Sequence, residues 1–181
     1  MNKIGVVSDI LVHDFPKYFN NTKILESIER IYNDFIEKNN FKKSEITLVS
    51  NGYPWINHLP VTLFLKNEEN ESYAGIELCI PTEINFKERH FLNTHEGRTL
   101  NELHKKYKEC TTIDSLDDLS RIVQAKKPNK KSIIKRGYKQ ANTMMVRNCN
   151  YVLVFGLTEK PESELWEKIL CQKEYFCIYN L

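Results

Sequence analysis

The sequence carries almost no charge of one sign to spare: 26 Lys and Arg stand against 24 Asp and Glu, a formal net charge of +2. A dedicated nucleic-acid binder needs a basic excess to offset phosphate, so nucleic acid is not an expected partner. Long apolar runs are missing as well. No stretch approaches the roughly 20 uninterrupted apolar residues that cross a bilayer, so no membrane partner is expected. The segment Met1 to Ser8 runs straight into a strand-like pattern and does not read as a signal peptide. The cysteines at 79, 110, 149, 171 and 177 are odd in number and contain no CxxC pair. Three of them lie in apolar surroundings, which suits buried, reduced thiols and a cytoplasmic location. His90, His95 and His104 lack any metal-ligand spacing, so no metal site is expected.

What is present is organised around Ser50-Asn51-Gly52-Tyr53-Pro54-Trp55-Ile56-Asn57-His58. The short β-branched run Ile46 to Val49 leads in and reads as a buried strand; Leu59 to Leu65 leads out and has room for two or three helical turns. In an open α/β sheet, ligands bind beyond the carboxyl end of a strand, at a helix N-terminus. Unpaired amides and the positive end of the helix dipole favour an anion there. Gly52 can take a positive φ and let a ligand approach the backbone. The plain alternative is an ordinary strand-to-helix turn signalled by Asn51-Gly52. Trp55 and His58 are either mouth residues of a pocket or packed core side chains.

Around this stretch the chain alternates strands and helices. Lys3 to Val7 is the first strand, with Ser8 and Asp9 at its carboxyl end, where they either face a ligand or cap a turn. Thr22 caps a helix in which Ile24, Leu25, Ile28, Ile31, Tyr32 and Phe35 recur at helical spacing. Tyr73 to Pro81 is a strand; its acid, Glu77, is read as edge or solvent-facing in preference to catalytic. Phe86 to Arg98 has few aliphatics and is expected to be a loop over the sheet, with Arg89 and Arg98 as candidate anion contacts. Leu100, Leu103, His104 and Tyr107 mark a helix, and the acids of Asp114 to Asp118 open another. The basic run Lys126 to Lys135 has no interleaved aromatics and reads as a solvated loop. A helix from Gly137 then feeds the apolar strand Tyr151 to Phe155, followed by a helix near Ser163 to Leu170 and a strand from Tyr175 to Tyr179. Apolar strands alternating with helices predict a mainly parallel, doubly wound Rossmann-like α/β sheet with helices on both faces. The chain is read as one domain, 1–181, with 82–130 a variable loop-and-helix insertion.

Two segments resemble the SLOG superfamily, which includes the Smf/DprA and LOG proteins. Ser50-Asn51-Gly52 with Trp55-Ile56-Asn57-His58 is similar to its Ser-Gly-Gly…Gly/Trp-Ala-Asp-His segment, Asn51 replacing a glycine and Asn57 an aspartate. Gly137, Tyr138, Asn142, Met145 and Val146 fall in register on its Gly-Phe-x-x-Arg-Asn helix, with Ala141 where the arginine stands and Asn150 where an aspartate stands. The family's later Gly-Gly-Thr phosphate loop is not retained in Gly156 to Trp166, where Glu159, Glu162 and Glu164 would repel a phosphate.

The resemblance implies binding or sensing of a nucleotide or nucleotide-derived small molecule by Ser8, Asp9, Ser50, Asn51, Gly52, Trp55, His58 and Asn142. It implies no resident cofactor and leaves a homo-oligomer open. The alternatives are a nucleoside-phosphate N-glycosidase-like hydrolase, or a degenerate domain serving protein contacts. The hydrolase reading is weakened by the missing Pro-Gly-Gly-x-Gly-Thr-x-x-Glu motif, which supplies the phosphate anchor and the carboxylate.

Overall fold

A computed structural model of the chain describes residues 1–8, 23–66, 73–124, 131–135, 137–156 and 176–180. Its main sheet has six strands: β1 (Asn2–Ser8), β2 (Ile46–Ser50), β3 (Gly75–Ile80), β6 (Lys131–Lys135), β7 (Tyr151–Gly156) and β8 (Phe176–Asn180). They lie in the order β6-β3-β2-β1-β7-β8, and every neighbouring pair is parallel. Five helices are described: α1 (Lys23–Lys38), α2 (Leu59–Lys66), α3 (His95–Thr111), α4 (Ser115–Gln124) and α5 (Tyr138–Asn148). A two-residue hairpin, β4 (Ile84–Asn85) with β5 (His90–Phe91), is the only antiparallel pairing among the described residues. No described helix is long and apolar enough to cross a membrane.

Most residues of the interior strands are apolar because the sheet is covered on both faces. Successive side chains of a strand point to opposite faces. Ile4, Val6, Ile46, Leu48, Leu78 and Leu153 share the larger core with Ile28 and Tyr32 of α1, Leu63 of α2, Leu100 and Tyr107 of α3, and Leu119 and Ile122 of α4. The alternate residues Val7, Val49, Cys79, Val152 and Val154 form a smaller core with Met145 and Val146 of α5 and with Cys149. Each such side chain contributes about 1.5–3 kcal/mol by leaving water. Gly5 sets how closely the end of α5 approaches, since a Cβ there would lie 2.6 Å from Cys149 Sγ. The parallel interior strands at Ile46–Ser50 and Tyr151–Gly156 are those that the apolar runs predict.

Three expectations are corrected. The basic run Lys126 to Lys135 is not a solvated loop over its second half: Lys131–Lys135 is β6, hydrogen-bonded in parallel to β3 around the apolar pair Ile133-Ile134. Glu77 is neither at an edge nor in solvent: β3 lies between β2 and β6, and Glu77 is 6% exposed. The register Lys3↔Thr47 and Val49↔Glu77 puts both charges on the α5 face, where Lys3 Nζ reaches Glu77 Oε2 at 2.9 Å across the intervening strand. Asn148 Nδ2 also donates to Glu77, which therefore ties the end of α5 to the sheet. Thirdly, Phe86 to Arg98 is not one loop. The hairpin occupies its first part and α3 begins at His95, where the Thr94 hydroxyl accepts from Gly97 N at 3.0 Å. A first turn of His, Glu, Gly and Arg has no apolar periodicity to announce a helix.

The acid-opened helix is confirmed, Asp114 Oδ1 accepting from Asp117 N at 3.1 Å. Asp9, Thr22, Lys126 to Lys130 and the segment Leu157 to Tyr175, with its expected helix and glutamate-rich loop, lie outside the described residues.

Candidate functional site

The strand order determines where a ligand can enter. From β1 the chain steps outward through β2 and β3 to β6, then returns to the other side of β1 with β7 and β8. The reversal between β1 and β7 leaves a crevice beyond their carboxyl ends, the usual ligand position in such sheets. Ser8 closes β1 at this edge and Ser50 closes β2.

Polar side chains build the turn after β2. Ser50 Oγ accepts from Gly52 N at 3.1 Å and donates to Asn57 O at 3.1 Å. Asn51 Oδ1 accepts from Tyr53 N at 3.1 Å, the local bond that makes asparagine a turn former. Gly52 has φ 74° and Trp55 φ 65°, the latter a strained value for a bulky buried residue. A 3-10 turn over Trp55–His58 then leads into α2. Asn57 Oδ1 accepts from Ser8 N at 2.8 Å, so this turn caps the carboxyl end of β1. An aspartate oxygen could accept the same bond.

The insertion clasps the turn from the other side. His104 of α3 bonds Gly52 O through Nε2 at 3.1 Å and Ser115 Oγ through Nδ1 at 2.7 Å. A carbonyl can only accept, so Nε2 carries the proton and Nδ1 accepts from the Ser115 hydroxyl. A serine–histidine pair held by a third group has the connectivity of an activated nucleophile. Here both residues are buried, and burial, aided by nearby His58, pushes the His104 pKa from 6.5 down to about 3. The pair is a structural clasp. His58 Nε2 meets Asp118 Oδ2 of α4 at 3.1 Å, and the Trp55 ring packs edge-on against Tyr107 with centroids 5.1 Å apart.

The last component is α5. Because β6 and β7 are parallel, α5 starts at the carboxyl edge, and Gly137 N donates to Pro81 O at 2.7 Å just beyond β3. Gly137 has φ 70°, offers no side-chain cap, and among the described residues has nothing within 4 Å of where a Cβ would stand. Just inside, Asn142 Oδ1 accepts from Asn51 Nδ2 at 3.0 Å, joining the two sequence segments. Asn142 is half-buried, and its own Nδ2 has no hydrogen-bond acceptor among the described residues.

Ser8, Ser50, Asn51, Gly52 and Asn142 are thus brought together at one edge, and Asp9 lies outside the described residues. Trp55 and His58 are packed side chains, 2% and 0% exposed, of the two alternatives the sequence left open. Gly52 owes its missing side chain to packing: a Cβ would lie 2.7 Å from Ile80 Cγ2. Arg89 is paired with Asp117 at 3.0 Å and Arg98 with Asn93 Oδ1 at 3.0 Å, both inside the insertion. The clasp residues Ser115 and Asp118 went unread as partners of the turn, because sequence spacing carries no signal for contacts 60 residues apart. No cluster of three His, Cys, Asp or Glu able to hold a metal ion occurs among the described residues. Asn150 is a strut at the opposite edge: its Oδ1 accepts from Lys3 N at 2.8 Å and its N donates to Lys3 O at 2.7 Å.

These features define a doubly wound, Rossmann-like α/β domain with polar side chains gathered at the carboxyl edge of the sheet. No family model matches the chain. It is 33% identical over 149 residues to the uncharacterized protein R261 of Acanthamoeba polyphaga mimivirus, a match covering 81% of this chain and 76% of the viral one. The chain belongs to the family of that mimivirus protein.

Proposed function

We propose that the carboxyl edge binds a nucleotide or nucleotide-derived small molecule, as the resemblance to SLOG-type proteins implies. The observation that carries this reading is the start of α5. Among the described residues no side chain caps this N-terminus and none lies within 4 Å of where a Gly137 Cβ would stand, and Asn142 offers an amide donor one turn further in. Uncapped amides and the helix dipole suit a phosphate, and the Asn142 amide suits a base or ribose oxygen. Among the turn amides, those of Gly52 and Tyr53 are already bonded to Ser50 and Asn51. The anion therefore belongs to α5 and not to the turn, which serves to position Asn51 and through it Asn142.

Binding without hydrolysis is favoured. A glycosidase needs a carboxylate at the anomeric carbon; among the described residues Glu77 is tied to Lys3 and Asp118 to His58. A cytoplasmic setting suits the free thiols of Cys79, Cys110 and Cys149. The burial of Cys79 next to Glu77 pushes its thiol up to about 12, too high to form a reactive thiolate.

Calorimetric titration with adenosine 5′-monophosphate and ADP-ribose tests the proposal. At least one should bind, and Asn142→Ala should weaken it about tenfold or more while leaving the circular dichroism native. Neither probe should release free base. Unchanged affinity in Asn142→Ala, or no binding of either probe, overturns the reading.

A further inference from the structure

A cavity lies away from Ser8, Gly52 and Asn142, between α1, the Trp55–His58 turn, α2 and the end of α3. It holds about 220 Å³. Leu25, Ile28, Ile56 and Leu59 supply apolar wall, and the rings of Trp55 and Tyr107 meet at 67° to form an aromatic corner. Among the described residues, the charged and hydroxyl side chains lining it are Glu26, Glu29, Lys66 and Thr62. Lys66 Nζ is held by Glu29 Oε2 at 2.6 Å, so the single lysine is already neutralised and Glu26 is the charge in excess.

We propose that this cavity takes a small organic cation with an apolar body, an alkyl- or arylalkylammonium. Three features select that class. Glu26 lies one helical turn from the Lys66-paired Glu29 on the cavity wall, so the wall carries one unbalanced negative charge for an ammonium to meet. The cavity adjoins the end of α2 at Lys66, where the carbonyl end of the helix dipole favours positive charge. The Trp55 and Tyr107 rings, packed edge-on against each other, add apolar contact for the ligand's body. A carboxylate ligand would instead face Glu26 and would have to take Lys66 from Glu29. The buried Trp55 backbone, held at φ 65°, fixes the indole as a wall, a use for strain that the carboxyl edge does not require. This inference shares no ligand contact with the proposed nucleotide site and stands or falls separately.

Hexylammonium, hexanoate and hexan-1-ol, matched in apolar length, are the probes, titrated at pH 7 by calorimetry. Hexylammonium should bind about tenfold or more tightly than either other probe. Glu26→Gln, at an exposed position, should weaken hexylammonium severalfold and leave hexan-1-ol unchanged. Thr62→Phe, which fills the cavity, should abolish hexylammonium binding while nucleotide binding persists; if Thr62→Phe fails to fold, Glu26→Gln alone decides. Equal or tighter binding of hexanoate or hexan-1-ol overturns the proposal. So does hexylammonium affinity unchanged in Glu26→Gln or in a folded Thr62→Phe protein, or no heat of binding up to about 10 mM hexylammonium.

Discussion

Both ring nitrogens of His104 are bonded in the neutral form, and that makes the residue a sensor of acid. Its pKa falls from 6.5 in the unfolded chain to about 3 in the folded one, chiefly because the ring is buried. Between those values the unfolded chain binds the extra proton, so folding stability is fully present above pH 6.5 and is lost as pH falls toward 3. The loss is at most about 1.4 kcal/mol per pH unit within that window. His104→Gln should be less stable than the parent at pH 7 by about 1–3 kcal/mol, because Ser115 and Gly52 lose a well-placed partner. It should also lose less stability than the parent between pH 6.5 and pH 4. Urea denaturation of both proteins at half-unit pH steps measures the two slopes; parallel slopes would mean that His104 is not the titrating group.

At the scale of elements, the Trp55–His58 turn does two jobs: it starts α2 and it stops β1. Asn57→Ala should expose this link, since Ser8 N would lose its acceptor at a cost of about 1–3 kcal/mol, whereas Asn57→Asp keeps an acceptor and should be close to neutral. Hydrogen exchange at the Ser8 amide, faster in the alanine protein and near native in the aspartate protein, checks the prediction. This turn also shows what could be read beforehand. The strand before it was legible because Ile46 to Val49 is buried on both faces, and the turn because Asn51-Gly52 demands a special backbone. The pairing of Asn51 with Asn142 could be anticipated only through a resemblance that named both segments. Glu77 misled because a charge inside a strand is ordinarily an outward charge, and Lys3, the residue that makes its burial tolerable, is 74 positions away. The start of α3 was hidden because its first turn is polar and its stop–start signals, Thr94 and Gly97, act through a cap and a close backbone approach.

For the molecule as a whole, the insertion is part of the core: Leu100, Leu103, Tyr107, Leu119 and Ile122 pack with the strands and with α1. Replacing residues 82–124 by a flexible linker should therefore abolish the cooperative thermal transition, and a sharp melt in such a protein, followed by circular dichroism, would show the insertion to be dispensable. The strand order carries a further consequence, for synthesis on the ribosome. β1 is bordered by β2 on one side and by β7 on the other, and β7 begins at Tyr151. At roughly 5–20 residues per second, the nascent chain carries β1 with one bare edge for something like 7–30 seconds before its second neighbour is translated. That edge bears Val6 and Val7, so the growing polypeptide presents an apolar, unpaired strand to the cell for most of its elongation. A chaperone that binds extended apolar segments should find its main target in residues 2–8 of ribosome-bound chains that stop short of β7.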